Sequence, residues 1–212
     1  MLPSIVIQLF LIIGFSFFSY NLIYIVHFKR RHKINNNNEI DNQLKETRLF
    51  ARIGIMILNV FITLVCLNIF FYHYIIEIIP RIDLLFLTQI VQVIGFSLVI
   101  GGNITLYLAY HKLGIYWAYP IGSISKKRKL VKTGIYKRIR HPIYLSFNLF
   151  CIGFNMILLD WFLLGLYIIG AIGLYFQAID EEKILIEYFG KDYLDYKEQT
   201  GRFFVKILKK EK

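Results

Sequence analysis

Residues 134–150 read GIYKRIRHPIYLSFNLF. Basic side chains crowd up to a His-Pro pair, and a charge-free apolar run starts immediately beyond it. The residue before a proline is biased away from helical geometry. Proline itself suits the first helical position, where its missing N–H is not needed. The stretch therefore predicts a helix that starts at Pro142, with Arg138, Arg140 and His141 at its mouth. The N–H groups of a first helical turn lack partners inside the helix, and the dipole is positive there. With Arg140 alongside, such a mouth favours a carboxylate or a phosphate. The same residues also fit a plainer role, with Arg138 and Arg140 anchoring the helix at lipid headgroups and Tyr136 and Tyr144 in an aromatic belt.

That helix is one of several apolar runs. The 212 residues are 57% hydrophobic and 17% aromatic, too apolar for an ordinary soluble domain, yet the formal net charge is +11. Strong basicity raises nucleic acid as a partner, so the placement of the charges decides. Uncharged runs cover residues 2–26, 53–76 and 84–111. Two shorter ones follow, Ile143–Leu159 and Trp161–Ile179, separated by Asp160. A bilayer crossing takes about 20 apolar residues, so the predicted fold is all-α, a polytopic membrane protein with about five transmembrane helices. The last two are expected to form a hairpin over 143–179 that turns at Asp160. Residues 2–26 are expected to be a transmembrane helix and not a signal peptide, since they lack a basic n-region and a small-residue cleavage site.

Basic residues fill the 28–52 loop, the 112–142 loop and the tail after 180, and only Arg81 of the 25 lies elsewhere. Positive charge stays on the cytoplasmic side, which predicts an external N-terminus, two cytoplasmic loops and a cytoplasmic tail. The basic surplus is then an orientation signal with some attraction to anionic lipid, and not a sign of nucleic acid. The expected organisation is a 1–110 part with three membrane helices and a 111–212 part with the hairpin and the tail. NNNNEIDN at 35–42 reads as a polar loop. Cys66 and Cys151 lie inside apolar runs and suggest neither a disulfide nor a metal site, and no metal is expected.

The segment AIDEEKILIEYFGKDYLDYKEQTGRFF, residues 178–204, places Asp180, Glu181 and Glu182 at the end of the fifth apolar run. Carboxylates so close to lipid are unfavourable unless paired or serving a site. Leu185, Tyr188 and Phe189 follow at helical spacing and predict an amphipathic helix ending near Gly190. Alone, it would suit an interfacial helix on the membrane. Taken with the 126–144 loop, it suggests a pocket. One segment offers anion-binding groups, the other carboxylates for an ammonium, and aromatic rings flank both. An amino-acid zwitterion carrying a flat base, such as S-adenosylmethionine, fits that description.

LVKTGIYKRIRHPIYL at 130–145, followed by EEKILIEYFGKDYLDY at 181–196 and GRFF at 201–204, resembles the membrane methyltransferases of the isoprenylcysteine carboxyl methyltransferase type. The wider superfamily includes phospholipid N-methyltransferases. The resemblance covers about residues 110–205, and the first three spans are similar only in kind. It implies a helical fold whose C-terminal half encloses S-adenosylmethionine on the cytosolic side, and a lipid or prenylated substrate that enters from the bilayer. It implies that Leu130, Val131, Tyr136, Arg140, His141, Pro142, Tyr144 and Glu181 bind the cofactor, with Glu182 adjacent and catalytic together with Arg140 and Gln177. The isoprenylcysteine enzymes carry an Arg at the position of Gln177, expected to hold the substrate carboxylate. Gln can hydrogen-bond a carboxylate but cannot offset its charge.

His141 is the nearest candidate base if the acceptor must lose a proton, with a structural or cofactor-contact role also open to it, whereas His73 and His111 read as interfacial. A sterol-reductase-like oxidoreductase shares the R-H-P-x-Y pattern, and a non-catalytic membrane scaffold could retain it; the chain is short for the reductase. The closing KKEK has the form of a dilysine retrieval signal, and the host membrane is the cell membrane in a prokaryote or the endoplasmic reticulum in a eukaryote. The sequence specifies no oligomeric state.

Overall fold

Glycines decide how the helices meet. In the computed structural model, which describes residues 2–31, 48–78, 81–114 and 129–206, Gly95 and Gly153 face each other across two helices. A Cβ built on Gly153 would lie 2.6 Å from the Gly95 carbonyl oxygen, and one on Gly95 would lie 2.7 Å from that of Gly153. These residues belong to α3 (Thr88–Leu113) and α4 (Pro142–Leu158), the most extensively packed pair. Between α2 (Arg48–Ile78) and α5 (Trp161–Phe189), the second most extensive pair, Gly54 approaches Gly173 in the same way, its Cβ position 2.7 Å from the Gly173 Cα. Small residues let backbones approach where lipid leaves little hydrophobic drive for association. The first helix, α1 (Ser4–Arg31), lies against α2, α3 and α4, and the short α6 (Lys191–Gln199) follows α5.

Rings fill the space that the glycines leave. Phe18 of α1 sits 4.4 Å from Phe150 and 5.7 Å from Phe147, centroid to centroid, both on α4. Buried amides tie the same helices. Asn103 on α3 donates to Gly14 O of α1 at 3.3 Å, and Asn21 on α1 donates to Asn103 Oδ1 at 3.4 Å. Gln92 on α3 donates to Ile157 O of α4 at 3.0 Å. Each bond satisfies a polar group that would otherwise face hydrocarbon.

A two-residue turn, Leu159-Asp160, joins α4 to α5. Leu159 takes a left-handed φ of +53°, and Asp160 caps α5 by accepting from Phe162 N at 2.8 Å and Leu163 N at 3.0 Å. Arg81 closes this end. It donates to Leu158 O at 2.6 Å and lies 3.8 Å from Asp160. The one basic residue outside the basic segments is thus a clasp at the α4–α5 turn.

Three helical segments, Ser4–Asn21, Leu85–Leu113 and Trp161–Phe189, are long and apolar enough to cross a membrane, and Met56–Tyr72 and Pro142–Leu158 are shorter apolar stretches. No strand occurs among the described residues. The helix expected to end near Gly190 does so, and it continues the fifth apolar run without a break. α5 runs unbroken from Trp161 to Phe189 and ends at Gly190, whose φ of +55° suits glycine. Nothing between Ala178 and Phe189 breaks a helix, so the carboxylates continue the apolar span in register. The NNNNEIDN stretch, the lysines and arginine at 126–128 and the final KKEK lie outside the described residues.

Candidate active site

The 138–141 backbone is held by the tail. Arg140 N donates to Gly201 O at 2.9 Å, His141 N donates to Arg202 O at 3.0 Å, and Gly201 N donates to Arg138 O at 3.2 Å. Pro142 opens α4, as the sequence predicts, and His141 just before it is non-helical. Gly134, with φ +62°, turns the chain into a short 3-10 segment, Gly134–Lys137, which buries Tyr136. These constraints bring Arg140 and His141 over the polar stretch of α5.

Glu182 is the hub of that end. Its side chain is 2% exposed, yet it is surrounded by charge. Arg140 Nε donates to Oε1 at 3.0 Å, Arg202 donates to both oxygens at 2.9 Å, His141 Nε2 lies 3.3 Å away and Lys197 Nζ 3.5 Å away. Glu181, one residue back, accepts from Tyr144 OH at 3.0 Å and lies 3.4 Å from His141 Nδ1. Burial alone would push the His141 pKa down, but the two carboxylates win and raise it above its ordinary value. The ring lies between the two carboxylates and stacks on Tyr144, 5.3 Å between centroids. Arg140, Lys197 and Arg202 outnumber Glu181 and Glu182, so this end carries a positive excess suited to an anion.

Beside this cluster lies a cavity of about 460 Å³, within the range of small-molecule sites. Leu130, Val131, Tyr136, Arg140, His141, Pro142, Tyr144, Gln177 and Glu181 all line it. Among the residues that the resemblance assigns to the cofactor or to catalysis, Glu182 alone is not in the lining; it stands behind Arg140 and His141. Four buried polar atoms of lining residues have no hydrogen-bond partner: Tyr136 OH, His141 Nε2, Gln177 Oε1 and Tyr193 OH, of which His141 Nε2 alone has a charged neighbour within 3.3 Å, Glu182. A buried polar atom left unpaired costs about 1–3 kcal/mol, so the cavity is built for a ligand that supplies partners. Burial first, and then Glu181, raises the Tyr136 pKa well above its usual value, and burial with the nearby carboxylates does the same for Tyr193. Both phenols keep their protons and remain donors.

Sequence reasoning missed two parts of the site. Arg202 grips Glu182 but reads in sequence as one more charge in a basic tail. The far wall comes from α1 and α2, through Phe15, Phe18, Leu58 and Ile62. These are apolar residues in apolar helices, with nothing in their type to separate a cavity wall from a lipid-facing side. His111 is exposed near the end of α3, and Tyr107 stacks on it at 5.9 Å. Among the described residues no cluster of three potential metal ligands occurs.

Fold and site define a helical protein of membrane type with a charged, ligand-sized cavity where one end of the bundle meets the tail. Residues 93–187 match the model of the isoprenylcysteine carboxyl methyltransferase family. It is 37% identical over 120 residues to the protein-S-isoprenylcysteine O-methyltransferase of Saccharomyces cerevisiae, covering 54% of this chain and 48% of the relative. It is 31% identical over 124 residues to the enzyme of the same name from Xenopus laevis, covering 57% and 43%. For the one from Rattus norvegicus the figures are 31% over 119 residues, 54% and 42%. The chain spans about half the length of the curated relatives it matches.

Proposed function

We propose that this chain is an integral membrane methyltransferase that binds S-adenosylmethionine in the cavity between α4, α5 and the tail and methylates a lipid or a lipidated acceptor, as protein-S-isoprenylcysteine O-methyltransferases do by name. The observation that carries the reading is the convergence of the motif residues on one cavity whose lining holds four buried polar atoms without a hydrogen bond.

The residues present fit the cofactor. Arg140 and the open first turn of α4 suit its carboxylate, and Glu181 suits its ammonium. Tyr136, Gln177 and Tyr193 offer hydrogen-bonding groups to its ribose and base, and Leu130, Val131 and Pro142 give apolar contact. When bound, S-adenosylmethionine supplies an electrophilic methyl group on a cationic sulfur. The chain has then to align an acceptor with it and keep water out, and alignment is a large part of catalysis in such displacements. The apolar wall of Phe15, Phe18, Leu58 and Ile62 suits a hydrocarbon tail, and Gln177 lies where polar and apolar linings meet. A carboxylate acceptor needs no base. An amine or hydroxyl acceptor has to shed a proton, and Glu181 is the nearest lining carboxylate to receive it.

In the membrane we place α1, α2, α3, α4 and α5 as about five spans, the last two as a hairpin. The N-terminus is external and the cavity end, with the basic segments, is cytoplasmic. The test uses purified protein, methyl-labelled S-adenosylmethionine and an acceptor panel of prenylated cysteine and phospholipids. The expected result is label in the lipid phase that vanishes in Glu181→Ala. Label transfer to none of these acceptors by protein that binds the cofactor would remove the lipid-acceptor reading.

A further inference from the structure

Arg202 lies outside the cavity, yet it controls the group on which the cavity's cofactor end depends. Its Nε and Nη2 donate to the two oxygens of Glu182, each at 2.9 Å, a fork-on-fork pair of the strong kind. The guanidinium carbon rests 5.2 Å from the centroid of the Tyr175 ring. Its own carbonyl is tied to His141 N. Glu182 passes the constraint on. Its Oε1 accepts from Arg140 Nε at 3.0 Å, and Arg140 uses Nη1 on the carbonyls of Lys197 and Thr200. Nη2 of Arg140 makes no hydrogen bond among the described residues, and Arg140 lines the cavity. The nitrogen available to a ligand is therefore aimed by a carboxylate that Arg202 holds in a single orientation.

We propose that Arg202 is a positioning residue for the cofactor end of the cavity: it fixes Glu182, Glu182 fixes the Arg140 guanidinium, and Nη2 of Arg140 is thereby presented to the anionic group of the ligand. The inference rests on the cavity being the S-adenosylmethionine site. Without Arg202, Glu182 keeps one hydrogen bond, from Arg140, and two longer approaches from His141 and Lys197. It then rotates, and Arg140 with it.

The experiment is calorimetric titration of S-adenosylmethionine into the full chain in detergent micelles. The proteins are wild type, Arg202→Gln, Arg202→Lys, Arg140→Gln and the Arg140→Gln/Arg202→Gln double variant. Arg202→Gln is expected to raise Kd roughly tenfold or more, as loss of a strong charge-assisted pair implies. Arg202→Lys keeps the charge but makes only one of the two contacts, so its Kd is expected between the two. The double variant is expected to bind no more weakly than Arg140→Gln alone, because Arg202 acts through Arg140. A residue serving only stability would alter the melting temperature and the active fraction while leaving the Kd of folded protein unchanged, and that outcome overturns the proposal. So do additive losses in the double variant, or a wild-type Kd in Arg202→Lys, which decides the matter by itself should Arg202→Gln fail to fold. Wild type that does not bind S-adenosylmethionine defeats the cofactor reading itself, and this inference with it.

Discussion

His141 sits between two carboxylates, which sets how the molecule answers to pH. Because Glu181 and Glu182 raise its pKa above the ordinary value of about 6.5, the charged imidazole stabilises the fold fully below that value. The contribution is lost as pH rises through the raised pKa. The melting temperature of wild type is therefore expected to fall as pH climbs from about 6 through that value, and the fall is expected to shrink in His141→Asn. Equal slopes in the two proteins would contradict the bridge. Glu182 is the other residue to test for stability. Replacing it by Leu leaves Arg140 buried beside an apolar group, and breaking a buried pair from one side costs about 3–5 kcal/mol. Denaturant or thermal unfolding in micelles would show the loss, and an unchanged midpoint would mean that Arg140 finds other partners. At this scale the sequence was informative where residue types are scarce. A carboxylate pair at the end of an apolar run and a His-Pro pair at a helix mouth both stand out. Arg202 does not, because a basic tail beside a membrane is expected for orientation alone.

Among the elements, the pairing of α3 with α4 depends on Gly95 and Gly153. Gly153→Ala forces a methyl group to within 2.6 Å of a carbonyl oxygen that belongs to the backbone and cannot step aside. The helices have to separate, and overpacking of this kind typically costs about 1–3 kcal/mol. A lowered melting temperature checks this, and Gly165→Ala, where a Cβ meets nothing within 4 Å, serves as the control. The unbroken α5 matters in another way. It carries Gln177, Glu181 and Glu182 on one continuous helix, so the charged end of the cavity keeps a fixed spacing from the apolar wall. Ala178→Pro removes a helical hydrogen bond at the junction, at about 3 kcal/mol. It is expected to abolish S-adenosylmethionine binding, and retained binding would show that the two halves of α5 act independently. The apolar runs gave the helices and their approximate ends. Their continuity past residue 179 was harder to see, because a change from apolar to charged composition resembles a helix end when no breaker is present to mark one.

For the whole molecule, the charge distribution and the cavity agree on direction. The proposed cofactor site lies at the end that holds Arg140, Lys197 and Arg202, and Arg81 pairs with Asp160 at the α4–α5 turn. The sequence showed that asymmetry plainly. It could not show that α1 and α2 complete the cavity, since hydrophobicity does not say which face of an apolar helix meets protein and which meets lipid. The central claim is that Arg140 and Glu181, brought together from α4 and α5, hold opposite ends of one charged nucleoside. Equilibrium binding of labelled S-adenosylmethionine to purified protein tests this most directly, comparing wild type with Arg140→Ala, Glu181→Ala and the pair combined. Saturable binding by wild type, weakened in each single variant and lost in the double, is the predicted result. Undiminished binding in the double variant, or none by correctly folded wild type, would contradict it.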